Sequence, residues 1–351
     1  MSYTWTVLRD ILSWIKYRVL NRLPLKIYNI LTKIAVVKRE SKFYEQDKVF
    51  GDLNPSLHFL IIRKRPPGWG FFSNLFYVLR GLRYSEELGY IPVVDMENYF
   101  MSELSSLKPI NGSRNAWNYF FENVSNYTLA EVYKSKNVKL SDGNRISQST
   151  SWLHNRDINL LKNTDNMLIV RDLIDKYIKL NTQTEEYLDK LKTELSWSGE
   201  ETLGIFVRGS AYYRQIYFPE NTIVDFNKLV TKIDDFLEKK SFNQIYICTE
   251  DFRVYLKLCE KFKNFKILRS IRFPPSLSEK EWTSNQSTTN VGGNLNMDFH
   301  NTRTYLAEIH LLSECANFIG TFSNASAFVL AKNFGNKGTR RLILPDEDYN
   351  F

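Results

Sequence analysis

Short apolar, β-branched runs alternate with amphipathic helical patterns in the carboxyl-terminal part of the chain. Parallel strands cannot be joined by a tight hairpin, so each return to the same edge of a sheet needs a long crossover, usually a helix. The alternation therefore requires a mostly parallel sheet with helices on its faces, which is an α/β architecture. The pattern predicts strands over 203–207, 244–248, 266–268, 317–320 and 341–344, and helices over 225–239, 251–263, 304–313 and 324–332.

A shorter alternation of the same kind lies nearer the amino terminus. A strand over 57–62, a glycine loop over 68–74, a helical pattern up to Leu88 and a strand over 91–95 form a βαβ unit. The middle of the chain, 111–198, shows helical periodicity over 128–135, 170–180 and 183–195 and little strand. With 351 residues, the chain exceeds the roughly 100–200 of one domain. We predict two Rossmann-like doubly wound α/β domains facing a cleft, with these limits: a basic amphipathic arm over 1–50, one domain over 51–198 and the other over 199–351.

The positive charge of the chain is concentrated at its amino terminus. The first 65 residues hold 13 Lys and Arg against 5 Asp and Glu, and the other 286 hold 34 of each. A nucleic-acid binder carries a basic stripe on a folded face and a recognisable module, and the sequence has neither, so we expect no nucleic-acid partner. Three cysteines without a C-x-x-C pair favour a reducing compartment.

The arm has the pattern of a basic amphipathic helix. Its apolar stripe is formed by Trp5, Leu8, Leu12, Ile15, Val19 and Leu23. Its apolar runs are far shorter than the about 20 residues of a membrane span, and no secretory signal follows. Two hypotheses remain open: residues 1–38 lie on an anionic membrane surface, or they pack against the body of the protein. The first predicts a cytoplasmic protein held peripherally on the inner face of the plasma membrane.

Polar residues follow three predicted strands of the second alternation, where ligands of open α/β sheets bind. The guanidinium of Arg208 can fork onto a phosphate, although a surface arginine at a strand end is the alternative. Ser323 and Asn324 begin a predicted helix, whose free amides favour a phosphate; the alternative is N-capping. The strand-end residues are Arg208-Gly209-Ser210, Thr249-Glu250-Asp251 and Thr321-Phe322-Ser323-Asn324.

Three further features of the sequence could belong to a ligand site. Glu308, inside a predicted helix, could accept hydrogen bonds from a base or ribose, or lie on a solvated face. The loop that includes Gly70 and Asn74 could admit a ligand close to the backbone, but it lacks the third glycine of a dinucleotide site and the lysine of a P-loop. The polar stretch over 272–303 is either a functional lid or disordered.

The spacing of the histidines indicates no metal site. The D-x-D at 346–348 is typical of a solvated tail.

Four stretches in order, 204–212, 245–251, 305–313 and 318–324, resemble the motif series of the α1,6-, α1,2- and protein O-fucosyltransferase superfamily. The loop over 68–74 followed by IPVVD resembles the amino-terminal signature of its bacterial surface-polysaccharide members. The resemblance implies a GT-B fold, with GDP-fucose held by the carboxyl-terminal domain, a glycan or glycolipid acceptor by the amino-terminal domain, and no metal or other cofactor.

The resemblance also implies roles for single residues. Arg208 matches the arginine on the β-phosphate of the donor, Glu308 the acidic residue near the guanosine, and Ser323 a phosphate-side hydroxyl. Thr249 and Asp251 match a pair that lines the nucleotide pocket. The chain departs from the pattern at Phe206, Gly209 and Ala211, which leaves a different nucleotide-activated sugar as an alternative donor.

The sequence therefore predicts an inverting glycosyltransferase that uses GDP-fucose to modify a bacterial cell-surface glycan such as a capsule, an O-antigen or a lipooligosaccharide. The alternatives are a transferase for another activated sugar and a catalytically silent protein that binds sugar nucleotides or glycans. Arg208 is the predicted catalytic cation, and Asp95 and Glu220 are the candidate bases. The predicted donor-binding residues are Gly70, Asn74, Arg208, Gly209, Ser210, Thr249, Asp251, Glu308, Thr321, Ser323 and Asn324.

Overall fold

The computed structural model describes most of the chain from residue 43 onwards. The described residues are 43–64, 70–99, 109–143, 146–153, 158–208, 225–239, 242–273, 295–343 and 348–350. Several predictions fall outside this part of the chain: the arm over 1–38, residues 274–294 of the polar stretch, residues 346–347 of the D-x-D, Gly209, Ser210 and Glu220.

The described residues form two compact units. The first contains those within Met1–Gly70, Arg80–Ser151 and Asn285–Phe299, and the second contains those within Phe71–Leu79, Trp152–Ser284 and His300–Phe351. Each unit is built around its own sheet, of four described strands in the first and six in the second. The division into 51–198 and 199–351 stays a prediction.

The sheet of the first unit is mainly parallel. Its strands are β1 (Gln46–Lys48), β2 (Leu53–Ile62), β3 (Ile91–Val94) and β4 (Ser135–Leu140), in the order β1-β4-β2-β3. β2 pairs in parallel with both neighbours, and β1 pairs with β4 in the antiparallel direction. Helix α1 (Phe71–Leu88) joins β2 to β3 and ends at Gly89, whose φ of 65° lies in the left-handed region. The predicted βαβ unit is therefore present.

β4 corrects the prediction that residues 111–198 contain little strand. Its sequence, SKNVKL, has two lysines and two other polar residues, yet it lies between β1 and β2. Val138 and Leu140 pack into the apolar core of the unit with Phe59, Ile61 and Val93. The helix predicted over 128–135 is confined to α2 (Leu129–Val132), which directly precedes this strand.

The second sheet has the connectivity of a doubly wound domain. Its strands are β5 (Thr202–Val207), β6 (Gln244–Thr249), β7 (Lys266–Leu268), β8 (Asn317–Thr321), β9 (Arg340–Ile343) and β10 (Asp348–Asn350). Their order is β10-β9-β8-β5-β6-β7, and every pair is parallel except β9 with β10. The chain adds β6 and β7 on one side of β5 and then returns to add β8 and β9 on the other. The topological switch point lies between β5 and β8.

Seven described helices accompany this sheet in the sequence. They are α3 (Ile158–Lys162), α4 (Thr164–Tyr177), α5 (Thr182–Leu195), α6 (Phe226–Lys239), α7 (Phe252–Lys261), α8 (Leu295–Glu314) and α9 (Asn324–Lys332). α8 begins inside the polar stretch 272–303, so residues 295–303 are helical rather than disordered, and a role of the stretch as a lid stays a prediction. In the described part of the chain, no helix combines the length and apolar character that a membrane crossing requires.

The sheet is covered on both faces, as the alternation predicted. Leu203, Ile205 and Val207 of β5 share an apolar core with residues of α6 and α7. The intervening residue Gly204 faces α8, where an added Cβ would lie 2.9 Å from Leu312 Cδ2. Because alternate residues of a strand point to opposite faces, α8 lies across the sheet from α6 and α7. The prediction of an α/β fold with parallel sheets is confirmed.

Candidate functional site

A hydrogen bond spans the switch point of the second sheet. Arg208 directly follows β5 and Thr321 is the last residue of β8. The backbone N–H of Arg208 donates to Thr321 Oγ1 at 2.8 Å. This bond fixes the carboxyl ends of the two strands between which a doubly wound sheet binds its ligand. Arg208 and Thr321, both predicted for the donor site, are therefore brought together.

The guanidinium of Arg208 is only partly enclosed by the protein. Its side chain is 32% exposed, and Nη1 lies 3.1 Å from Oε1 of Glu250, which is 19% exposed. Glu250 follows β6, the neighbour of β5, so the ion pair joins two adjacent strand ends. The sequence singled out the position of Glu250 but assigned it no role.

A helix begins next to this edge of the sheet. Ser323 is the N-cap of α9, and its hydroxyl accepts a hydrogen bond from the N–H of Ser326 at 3.2 Å. The hydroxyl of Ser326 in turn accepts from the N–H of Ser323, which completes a capping box. The amides of Asn324 and Ala325, between these two, are not used by the box. The N-capping alternative is therefore correct for Ser323. The capping box leaves the amides of Asn324 and Ala325 to hydrogen-bond an anion.

Glu308 lies in the interior of the unit, so the alternative of a solvated helix face was wrong. It is fully buried, and Oε2 accepts from Arg272 Nη2 at 2.6 Å and from the thiol of Cys248 at 3.6 Å. Among the described residues, Oε1 has no hydrogen-bond partner. Burial raises the pKa of Glu308 because it disfavours the charged form, and the attraction of Arg272 opposes this effect.

Arg272 is a member of this cluster that sequence reasoning missed. Its guanidinium lies 4.9 Å from the centre of the Tyr305 ring, a cation–π contact, while it pairs with Glu308. Burial acts to lower the pKa of Arg272, but the acidic groups around it, with Glu308 the strongest, together outweigh this effect and the net shift is upward. Burial also raises the pKa of Tyr305, despite the opposing charge of Arg208. Arg208 and Arg272 are thus each paired with a carboxylate.

The two residues that end β6 and begin α7 make local contacts. Thr249 Oγ1 accepts from the N–H of Asp251 at 3.2 Å. Asp251 is the N-cap of α7 and accepts from the N–H of Arg253 at 3.0 Å. Both side chains are buried at the carboxyl edge of the sheet. The structure therefore places Thr249 and Asp251 beside Glu250, and their predicted contact with a nucleotide stays a prediction.

The first unit holds the predicted base Asp95, directly after β3. Its Oδ1 accepts from the N–H groups of Glu97 and Asn98, and its Oδ2 accepts from the Tyr133 hydroxyl at 2.6 Å and from Asn98 Nδ2. Burial raises its pKa, and these hydrogen bonds oppose the shift. Asp95 thus stabilises a turn through both oxygens, and its role as a base stays a prediction.

Gly70 and Asn74 flank the start of α1. Gly70 is the N-cap residue, and no atom lies within 4 Å of the position that a Cβ would occupy there. Asn74 is buried, with 3% of its surface exposed. An open N-cap position and a buried amide are compatible with the predicted donor contacts, which stay predictions.

The first unit has an arginine in a position equivalent to that of Arg208, at the switch point of its own sheet. Arg63 follows β2, and its N–H donates to Ser141 Oγ, beyond β4, at 3.1 Å. Its guanidinium donates to the carbonyls of Ser141 and Tyr44 and to the Tyr99 hydroxyl, each at 2.9 Å. Arg63 is only 3% exposed, so protein acceptors enclose the cation that at Arg208 remains partly open.

Metal ligands do not cluster in the part of the chain that the structure describes. No group of three or more His, Cys, Asp or Glu there could hold an ion. Cys248 is buried, and burial raises the pKa of its thiol. The expectation that no metal or cofactor is needed stays a prediction.

Comparisons with known proteins find similarity in structure alone. No protein-family model matches the chain, and no curated protein matches it. A NodZ α-1,6-fucosyltransferase soaked with GDP-fucose is 15% identical over 84% of this chain and 99% of that chain, with a TM-score of 0.49. NodZ from Bradyrhizobium is 17% identical over the same shares, with a TM-score of 0.48. A variant of Arabidopsis thaliana FUT1 in complex with GDP is 10% identical over 84% and 72%, with a TM-score of 0.45. The chain is thus similar in structure to fucosyltransferases, the group whose motif series its sequence resembles.

Proposed function

We propose that the chain is an inverting glycosyltransferase that binds the diphosphate of a nucleotide-activated sugar at the switch point of its second sheet. The observation that carries the proposal is the meeting of Arg208 with Thr321 across β5 and β8. A partly open guanidinium then lies at the sheet edge where such folds bind nucleotides, and its partner Thr321 lies two residues before Ser323, the N-cap of the amide-rich start of α9.

The reaction is a direct displacement at the anomeric carbon of the donor sugar. An acceptor hydroxyl attacks this carbon, the bond to the diphosphate oxygen breaks, and the configuration inverts. Negative charge develops on the departing diphosphate, so fixed donors that face it stabilise the transition state more than the bound substrate. Arg208 and the amides that begin α9 are these donors in our proposal.

We infer that the donor is GDP-fucose and that the acceptor is a bacterial surface glycan or glycolipid. The four ordered motifs between residues 204 and 324 support this choice. In the same proposal, Thr249, Asp251 and Glu308 contact the nucleoside and Ser323 lies beside the phosphates. Asp95 and Glu220 remain the candidate bases for the acceptor hydroxyl.

The proposal is tested with the substitution Arg208→Ala. We expect transfer to fall by about 10²–10³ or more, because losing one such donor commonly has this effect. Arg269→Ala is the matched control, since Arg269 is 54% exposed and lies 3.6 Å from Glu194 on the same unit. Far-UV circular dichroism checks that both variants fold. Undiminished turnover in the Arg208→Ala protein would remove Arg208 from the mechanism.

Two alternatives are separated by the choice of ligand and assay. A thermal-shift panel of GDP, UDP, CMP and dTDP sugars identifies the donor, because a ligand at 100 times its Kd stabilises the folded state by about 2.7 kcal/mol. Release of nucleoside diphosphate from that donor without an acceptor then distinguishes a transferase from a silent binding protein. A binding protein would be stabilised by the donor but would release no diphosphate.

A further inference from the structure

The ion pair between Arg208 and Glu250 has a direct consequence for ligand binding. Glu250 Oε1 lies 3.1 Å from Arg208 Nη1, and this oxygen is buried without a hydrogen bond among the described residues. Arg208 therefore neutralises the carboxylate of Glu250 by charge alone, without a well-aligned hydrogen bond to Oε1. Such a contact is easily exchanged for a better acceptor.

The other carboxylate of the cluster is held more firmly. Glu308 is fully buried, pairs with Arg272 at 2.6 Å and accepts from Cys248. Glu250 is 19% exposed and also acts electrostatically on Arg272 and Glu308. Of these two carboxylates, Glu250 is the one with both surface access and a replaceable partner.

We propose that Glu250 is an internal competitor of the donor diphosphate for Arg208, and that it sets the affinity and phosphate selectivity of the site. The inference rests on the proposed function of Arg208. In the structure, the carboxylate pairs with Nη1 of the guanidinium that a diphosphate would use. When a diphosphate binds to Arg208, the carboxylate of Glu250 loses its ion-pair partner. It then lies near the two negative charges of the diphosphate, and this repulsion raises the free energy of the complex.

The competition predicts a gain of affinity when the charge is removed. Glu250→Gln keeps the size of the side chain, abolishes the repulsion and weakens the hold on Arg208. We expect the Kd values for GDP and for inorganic pyrophosphate, measured by isothermal titration calorimetry on the full chain, to fall by a similar factor of about ten. The factor should be shared because the repulsion acts on the diphosphate that both probes contain.

Two variants accompany this measurement. Glu260→Gln is the matched control, since Glu260 is 75% exposed on α7 and pairs with Lys263 on the surface, and it should leave both Kd values unchanged. Glu250→Asp withdraws the carboxylate by one methylene and is expected to lower both Kd values by a smaller factor. It supplies the same test if the glutamine variant does not fold.

The outcomes separate this inference from the proposed function. Unchanged or weaker binding by Glu250→Gln would overturn the competition, because Glu250 would then orient Arg208 or contact the ligand itself. Tighter binding of GDP without tighter binding of pyrophosphate would overturn it as well, since the effect would come from the nucleoside. If neither the natural chain nor any Glu250 variant binds either probe, the proposed function fails and takes this inference with it.

Discussion

His310 is a buried imidazole that the proposed chemistry does not use. It is 4% exposed, its Nδ1 lies 3.1 Å from Lys332 Nζ, and its Nε2 has no hydrogen-bond partner in the described part of the chain. Burial, reinforced by the positive charges of Lys332 and Lys192, lowers the pKa of His310 well below its ordinary value. The ring is therefore neutral in the folded protein at neutral pH.

The lowered pKa predicts a loss of stability in mild acid. Below about pH 6.5, His310 is protonated in the unfolded chain but stays neutral in the folded protein. The unfolded state therefore binds one more proton, and the free energy of unfolding falls by up to about 1.4 kcal/mol per pH unit. We expect His310→Gln to remove this part of the slope between pH 7 and pH 5 in urea denaturation. His300→Gln, on the exposed surface of the same helix, should retain the natural slope. Equal slopes for the natural protein and His310→Gln would contradict the prediction.

Single residues of the candidate site were predictable where position in the sequence determines their environment. Arg208 and Thr321 were found because a residue that ends an apolar strand must lie at the sheet edge. Arg272 was missed because the polar stretch around it gives no periodic signal, and its partner Glu308 lies 36 residues away. The ion pair of Glu250 was equally hidden, since only the parallel pairing of β5 with β6 brings it to Arg208.

At the scale of elements, β5 and α8 pack closely because Gly204 has no side chain. A Cβ at this position would lie 2.9 Å from Leu312 Cδ2 and 3.0 Å from Cys315 Sγ. Both neighbours are fully buried side chains, so they have little room to move away from an added methyl group. We expect Gly204→Ala to lower the free energy of unfolding by about 1–3 kcal/mol, the usual cost of overpacking. Chemical denaturation measures the change.

The reason for this loss can be tested with a compensating change. Leu312→Ala makes room for the new methyl group, so the double variant Gly204→Ala, Leu312→Ala should lose less stability than the sum of the two single variants. Strict additivity would show that the methyl group does not meet Leu312.

Elements were predictable where the hydrophobic pattern is strong. β7 (Lys266–Leu268) and α9 (Asn324–Lys332) have the bounds that the pattern gave, because their apolar residues face a core on a regular period. β4 (Ser135–Leu140) was missed because its alternation is interrupted by two lysines and an asparagine. Asn137 donates to the carbonyls of Pro55 and Leu57, contacts that exist only after the sheet has formed. Tertiary pairing rather than local propensity therefore makes this segment a strand.

On the scale of the whole molecule, the two sheets have the same arrangement of an arginine and a hydroxyl at their switch points. An arginine follows a central strand, and its N–H donates to a hydroxyl at the end of the neighbouring strand or just after it, at Arg63 in the first unit and at Arg208 in the second. In the first unit, carbonyls and a tyrosine then enclose the guanidinium. In the second, a partly exposed glutamate faces it. The difference in enclosure, rather than the presence of an arginine, favours the second sheet as the anion site.

The distribution of charge over the whole chain leads to the last prediction. The surplus of positive charge lies in the first 65 residues, whereas the other 286 are balanced. If the arm binds lipid, the natural protein should sediment with vesicles that contain phosphatidylserine and remain in solution with pure phosphatidylcholine, because each Lys or Arg near an anionic surface contributes about 1 kcal/mol. Deleting residues 1–38 should abolish sedimentation and leave the Kd for GDP unchanged.

The competing hypothesis, that the arm packs against the body of the protein, gives the opposite pair of results. Deletion of residues 1–38 would then lower the melting temperature, since apolar surface would lose its cover, and vesicles would have no effect on either protein. Replacing Arg9, Lys16, Arg18 and Arg22 by Gln in the full chain isolates the electrostatic part, because the apolar stripe is kept. This variant should lose vesicle binding at physiological salt if lipid is the partner. Retained sedimentation of the truncated protein would rule out the arm as the anchor.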